Sequence, residues 1–255
     1  MADYRRYAKK PSNTNTTSEP EADEEWDIYA DEGERLDGFP DEGEVEITAV
    51  TPLRKPRHHY KLTFGELNLM VHEDVMIKYR LLKGMYFSKE ELENIVIANE
   101  RQTAYAEALN YLSRKARTRT EIARKLKEKE IHPEIIETTL VRLQQEKLID
   151  DELYAQQWAK QRVNSQKKGK VWIRQELRQK GVNKENIEQA LEEIDPNDEI
   201  ASATILAEKK WKSTSGEVFD KKRKTMAFLM RRGYSSDIVR KALDAVQQKP
   251  EDDWE

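Results

Sequence analysis

Four histidines, His58, His59, His72 and His132, supply all the imidazoles of this 255-residue chain. A zinc hydrolase would place two of them one helical turn apart around a glutamate, as in H-E-x-x-H. His72-Glu73-Asp74 has no histidine four residues on, so it reads as a surface or capping group. No cysteine is present, which excludes disulfides, thiolate metal sites and thiol nucleophiles and fits a reducing compartment. The Asp150-Asp151 pair could in principle share a metal or a proton. Its place just ahead of an apolar helical pattern instead predicts N-capping, where a carboxylate accepts free backbone N–H groups at the positive end of the helix dipole. With nine glycines and no G-x-x-x-x-G-K-[ST], G-x-G-x-x-G or G-x-S-x-G, there is little to cradle a phosphate or strain a nucleophile. The expectation is a protein that is not an enzyme, with no catalytic residue, no metal and no cofactor.

The residues that do recur in a pattern are basic. One cluster holds Arg114, Lys115, Arg117, Arg119, Arg124 and Lys125. A second holds Lys167, Lys168, Lys170, Arg174 and Arg178, and a third Lys221, Lys222, Arg223, Lys224, Arg231 and Arg232. Side chains of this type bind a polyanion by phosphate contact and counterion release, with steep salt dependence. Solvated helix surface laced with i, i+4 pairs such as Glu121–Lys125 is the plainer account of each cluster alone. Recurrence in comparable places favours binding. Net charge conceals the pattern: the whole chain is −4, but residues 1–44 carry 14 acidic and 5 basic residues and the final EDDWE adds four acids. Residues 45–250 hold 40 basic and 31 acidic residues, a basic body between acidic ends that could compete for the same surface.

The elements that must position these groups are mostly helical. Residues 1–44 are expected to be a disordered acidic leader, too poor in apolar groups to offset ordering entropy, with Trp26, Ile28 and Tyr29 interrupting the acid. That leader reads as a solvated tail; a docking motif, or a fold-back over the basic body that weakens binding, is the sharper alternative. Residues 45–98 read as a small β-rich module. Val45, Ile47 and Val50 predict one strand closed by Pro52; Tyr60, Leu62 and Phe64, then Leu67, Leu69 and Val71, alternate as a hairpin around Gly65-Glu66. A short helix over 72–82, ended by Gly84, precedes a Ser88/Glu91 capping box.

Three segments, Ile122–Leu143, Ile173–Ile194 and Thr225–Val246, align without gaps at a period of about fifty residues. Leu126, Leu177 and Leu229 coincide, as do Ile131, Val182 and Tyr234, and three further apolar columns. Glu130, Gly181 and Gly233 share the junction, where glycine suits the left-handed position that ends a helix. Each unit predicts three helices, because two short amphipathic helices cannot cover their stripes alone. The predicted units are residues 99–149, 150–195 and 196–248, with 249–255 an acidic tail. Tyr105, Tyr154, Trp158 and Trp211 fall on apolar stripes and read as core; Trp172 is the best exposed candidate for base stacking.

On these residues the chain resembles the RecX family. Leu148-Ile149-Asp150-Asp151 with Tyr154-Ala155 is similar to the family's L-I-D-D-x-x-[FY]-A segment. Ala108, Leu109, Leu112, Arg114 or Arg117, Thr118, Glu121, Ile122, Lys125 and Leu126 match a second, and Gly169, Ile173, Glu176, Leu177, Lys180, Gly181 and Val182 a third. His72–Gly84 resembles the N-terminal region of longer members from Gram-positive bacteria. The resemblance covers about residues 45–247 and departs at Glu130, where the family often has glycine. It implies a mainly α fold: three tandem three-helix repeats in an elongated, curved array, behind the β-hairpin/helix module and the leader.

The resemblance further implies a regulator that binds the RecA–single-stranded DNA filament and mainly inhibits its ATPase, strand exchange and growth, in recombination, DNA repair and the SOS response. The implied partners are the RecA filament and single-stranded DNA, with double-stranded DNA as a secondary one. No apolar run reaches the roughly 20 residues a membrane helix needs, and a cytoplasmic monomer is expected. Two other readings remain: a general nucleic-acid-binding protein of tandem helix-turn-helix-like repeats, and a helical scaffold that binds only proteins.

Overall fold

The computed structural model describes residue 36 and residues 38–248. The basic N-terminal patch, the acidic run with Trp26, Ile28 and Tyr29, and the 249–255 tail lie outside the described residues. The chain is mainly helical, with a β module at its N-terminal side.

Five strands build the module: β1 (Glu44–Glu46), β2 (Ala49–Pro52), β3 (His59–Phe64), β4 (Leu67–His72) and β5 (Tyr86–Ser88). The expected hairpin is β3–β4, in register Phe64 to Leu67 around Gly65-Glu66, with β2 antiparallel on its other side. The single strand expected over 45–52 is two strands. Ile47 is fully buried at the break; its N–H donates to the Met85 carbonyl while the Thr48 N–H donates to Thr63. The backbone thus leaves β5, which β1 pairs, and joins β3. Packing also reaches into the expected leader: Leu36 and Phe39 are buried in the module core, and Phe39 meets the Phe64 ring edge-on at 5.3 Å.

Helix α1 (Glu73–Tyr79) starts on His72, whose Nδ1 accepts from the Asp74 N–H. It stops before the predicted end. Arg80 takes the left-handed conformation (φ 54°), and the Leu81 N–H returns to the Met76 carbonyl as Leu81 enters the core. Burial of Leu81 holds an arginine where glycine was expected. Gly84 instead turns the chain toward β5. Ser88 and Glu91 form the predicted capping box and open α2 (Lys89–Leu112), a single 24-residue helix. Its first half packs Leu92, Ile95 and Val96 into the module, and its second half packs Ala104 and Ala108 into the first repeat. One continuous helix therefore runs through position 98.

The repeats follow as predicted. The first is completed by α3 (Arg119–Lys127) and α4 (Pro133–Gln145); the second is α5 (Asp151–Asn164), α6 (Lys170–Gln179) and α7 (Lys184–Glu192). The third is α8 (Pro196–Lys212), α9 (Val218–Arg231) and α10 (Ser236–Gln247). Leu126, Leu177 and Leu229 are each inaccessible to solvent, and every other matched apolar column is buried too. The last helix of each repeat opens on a local signal: Asn183 caps α7, Ser235 caps α10, and Pro133 stands in the first turn of α4. Module and repeats keep four separate cores. That is the signature of an elongated array of small units rather than one globule, and it explains how a chain with 37% charged residues folds. Tyr154 is buried, and Tyr105, Trp158 and Trp211 pack against their cores, as expected.

Candidate binding face and repeat junctions

The second helix of each repeat carries most of the predicted basic residues, and its N-terminus is also where one repeat meets the next. At the α3 N-terminus, Thr118 Oγ donates to the Lys180 carbonyl (2.6 Å) and Thr120 Oγ to that of Gly181 (3.0 Å). At the α6 N-terminus the backbone makes the same approach: the Gly169 N–H donates to Arg232 (3.0 Å) and the Val171 N–H to Gly233 (3.1 Å). Glycine at position 169 lets main chain meet main chain, where threonine hydroxyls bridge the first junction. Both glycine turns are left-handed, with φ of 77° at Gly181 and 86° at Gly233.

A carboxylate from the following repeat completes each junction. Asp151 accepts from the Arg119 N–H (2.8 Å), and Glu199 from the Lys170 N–H (3.1 Å). The Asp150-Asp151 pair is thus split. Asp150 caps its own helix through the Leu153 N–H, while Asp151 caps α3 across the repeat boundary. Burial pushes the Asp151 carboxyl above the ordinary carboxylate value, against the pull of the Arg119 N–H and guanidinium. Asp151→Ala should cost about 1 kcal/mol, the usual worth of a lost cap. Asp151→Asn keeps an acceptor and sheds a half-buried charge, so it should cost less; paired urea melts test the order.

Many of the predicted basic residues already bond to groups of the same chain. Arg119 pairs with Glu137 and Gln144, and Arg174 grips Glu188 through two bonds (2.8 and 2.7 Å). Lys125 pairs with Glu128 and Arg223 with Asp220. Lys167 donates to the Asn164 carbonyl, Lys170 to that of Ile194, Lys222 to the Gln247 amide and Arg232 to the Gln166 carbonyl. The Arg117 guanidinium carbon lies over Tyr111, 4.0 Å from the ring centroid, with its side chain only 15% exposed. Lys168 sits 3.9 Å over Trp172, where burial and the nearby Arg232 charge depress its affinity for a proton. Trp172 is accordingly part of the second junction rather than an exposed stacking platform: Gly233 packs against it. The suggested Glu121–Lys125 pair does not form; Glu121 binds Lys180 (3.0 Å) across the first junction.

The remainder face solvent. Arg114, Lys115 and Arg124 on the first repeat, and Lys224 and Arg231 on the third, are exposed and carry no ion pair among the described residues. Arg178 is exposed on the second, and Lys221 is half-buried. Arg114, Arg124 and Lys125 line a shallow groove of about 300 Å³ with Tyr111, Glu121 and Glu128. A basic column recurs just before each junction turn, Lys129, Lys180 and Arg232, and only Arg232 of the three belongs to the predicted binding set. The role of Lys180, a residue of the family-like segment, depends on Glu121, fifty-nine residues away, and on the Trp158 ring at 4.4 Å. No group of three or more metal-ligating side chains is present among the described residues, and none of their helices is long and apolar enough to cross a membrane.

Comparison with known proteins agrees with this architecture. Models of the first, second and third three-helix domains of RecX match residues 104–143, 150–191 and 197–243. The regulatory protein RecX of Limosilactobacillus reuteri (strain DSM 20016) is 34% identical over 199 residues, covering 78% of this chain and 75% of that one. That of Enterococcus faecalis (strain ATCC 700802 / V583) is 31% identical over 213 residues, covering 82% and 80%. A crystal structure of regulatory protein RecX superposes with a TM-score of 0.64 at 29% identity, over 80% of this chain and all of that one. Its three repeated domains, their order and these relatives together establish that the chain belongs to the RecX family of regulatory proteins.

Proposed function

We propose that this protein binds the RecA filament on single-stranded DNA and restrains its ATPase, strand exchange and growth. The observation that carries the reading is the repeated junction. The same contact, a helix N-terminus on a left-handed turn, joins repeat one to two and two to three, so the exposed cations of each repeat sit at set spacings along one array. A filament presents a recurring surface, and a linked array meets it with avidity that separate repeats lack. Contacts spanning neighbouring filament subunits would hold one subunit arrangement and slow the hydrolysis that needs another. The exposed cations Arg114, Lys115, Arg124, Lys224 and Arg231, which carry no ion pair among the described residues, and the exposed Arg178, which stands near Glu188, are the groups assigned to phosphate or acidic protein surface. The protein performs no catalytic step in this reading and acts as a monomer.

The test is RecA ATPase on single-stranded DNA during titration with this protein, with naked-DNA binding measured at the same salt. Inhibition is expected at concentrations too low to coat the strand. Inhibition that appears only at saturation of the DNA would mean competition for the strand, and the general nucleic-acid-binding reading would replace this one.

A further inference from the structure

The third repeat departs from the other two in one respect. Helices α3 and α6 start at Arg119 and Lys170, three residues ahead of the matched core positions Ile122 and Ile173. Helix α9 starts at Val218, seven ahead of Thr225. It has an additional N-terminal turn, so the backbone N–H groups that would receive a further repeat are spent within the helix. This N-terminus therefore lacks the junction contact that the other two make. The additional turn is also poorly covered: Val218 is 62% exposed and Phe219 75%. Below Phe219, Arg223, Met226 and Met230 follow at i+4, i+7 and i+11 along the solvent side, all exposed. The face is apolar and basic at once, an expensive surface to leave to water.

Helix α10 brings the chain's C-terminal segment to this place. Gln247, its last residue, accepts from Lys222 Nζ (3.5 Å), one turn below Val218. The residues beyond, ending in Glu251-Asp252-Asp253-Trp254-Glu255, are four acids around one tryptophan. Eight residues span up to about 26 Å when extended, and the first two turns of α9 cover only about 11 Å. Both reach and charge match.

We infer that the segment 249–255 folds back onto the first two turns of α9, with Trp254 against Val218 and Phe219 and its carboxylates on Lys221, Lys222 and Arg223. It occupies part of the basic surface of the third repeat as an internal polyanion. Any nucleic acid or acidic protein surface using that face must displace it. This last consequence rests on the proposed function; the docking itself does not.

Docking is tested without DNA. The full chain is treated with a carbodiimide, which joins carboxylates to lysines in contact, and amide exchange is compared with a chain ended at Gln248. Expected are links from Glu251, Asp252 or Asp253 to Lys221 or Lys222, independent of protein concentration, and faster exchange over residues 217–223 in the shortened chain. Phe219→Ser, at an exposed site that leaves the core intact, should abolish both. Links that grow with concentration would mean that a second copy's tail is the occupant; absent links with unchanged exchange would mean no docking. Either result overturns the inference. Single-stranded DNA binding is read separately. Removal of 249–255 or Trp254→Ala should tighten it about three- to tenfold at low salt, the scale of a few exposed charge pairs. A gain on removal but none with Trp254→Ala would mean diffuse repulsion without a docked tail, and would also overturn it. If the links appear and DNA binds neither form, the docking stands and the nucleic-acid reading fails.

Discussion

Gly233→Val should weaken the fold by about 3 kcal/mol, the sum of a left-handed backbone that β-branched residues avoid and of overpacking at a closed contact. Gly233 holds φ at 86°, and a Cβ there would fall within 3.0 Å of Trp172. Gly181→Val should behave alike, with Thr120 as the obstacle and φ at 77°. The informative contrast is Glu130, the same position in the first repeat, which already holds φ at 59° with a side chain in place. Among the described residues no repeat precedes the first and no helix N-terminus meets its turn, and Glu130 is exposed. Glu130→Gly should therefore be neutral or stabilise by up to about 1 kcal/mol, the relief of a left-handed Cβ less the entropy of glycine. Urea unfolding followed by circular dichroism measures all three. Equal losses at Glu130 and Gly233 would show that the glycines serve only their own turns. A large loss at Gly233 alone shows that they serve the junction, and it accounts for the one departure from the family pattern.

Reversing three unpaired cations of the first repeat together, Arg114→Glu, Lys115→Glu and Arg124→Glu, should lower single-stranded DNA affinity by about a hundredfold at moderate salt. It should also flatten the salt dependence by about two units of slope, as expected when roughly three phosphate contacts are lost. Half-maximal inhibition of RecA ATPase should move to higher concentration in step. These side chains are exposed, so stability should change by no more than about 0.5 kcal/mol. The control carries the same charge change elsewhere: Lys160→Glu, Lys184→Glu and Lys209→Glu, all exposed and outside the assigned set. Equal losses in the two triple variants would reduce the effect to net charge. No loss in either would favour a scaffold that binds proteins without electrostatic help.

Periodicity made much of this protein legible from its residues. Five apolar columns spaced by about fifty residues predicted three-helix units, and the same leucines line three separate cores. Helix starts were readable because a cap is a local event: Ser88, Asp150, Asn183 and Ser235 each bond an N–H within three residues. Where local rules failed, a distant partner had overruled them. Ile47 broke a strand to seat itself between two sheets, and buried Leu81 ended a helix on an arginine.

The candidate binding face is the least legible part. A lysine or arginine has the same letter whether it grips Glu188 fourteen residues on, as Arg174 does, or faces water, as Arg124 does. Composition and spacing by themselves determined that the chain is a repetitive helical protein with a basic body, because hydrophobic period and residue inventory are properties of the chain. Only the tertiary structure decided which cations lack an ion pair, why two of three turn positions favour glycine, and which helix N-termini make a junction. Each of those depends on pairs of groups brought within a few ångströms by folding, such as Gly233 with Trp172 across the second junction and Thr118 with Lys180 across the first.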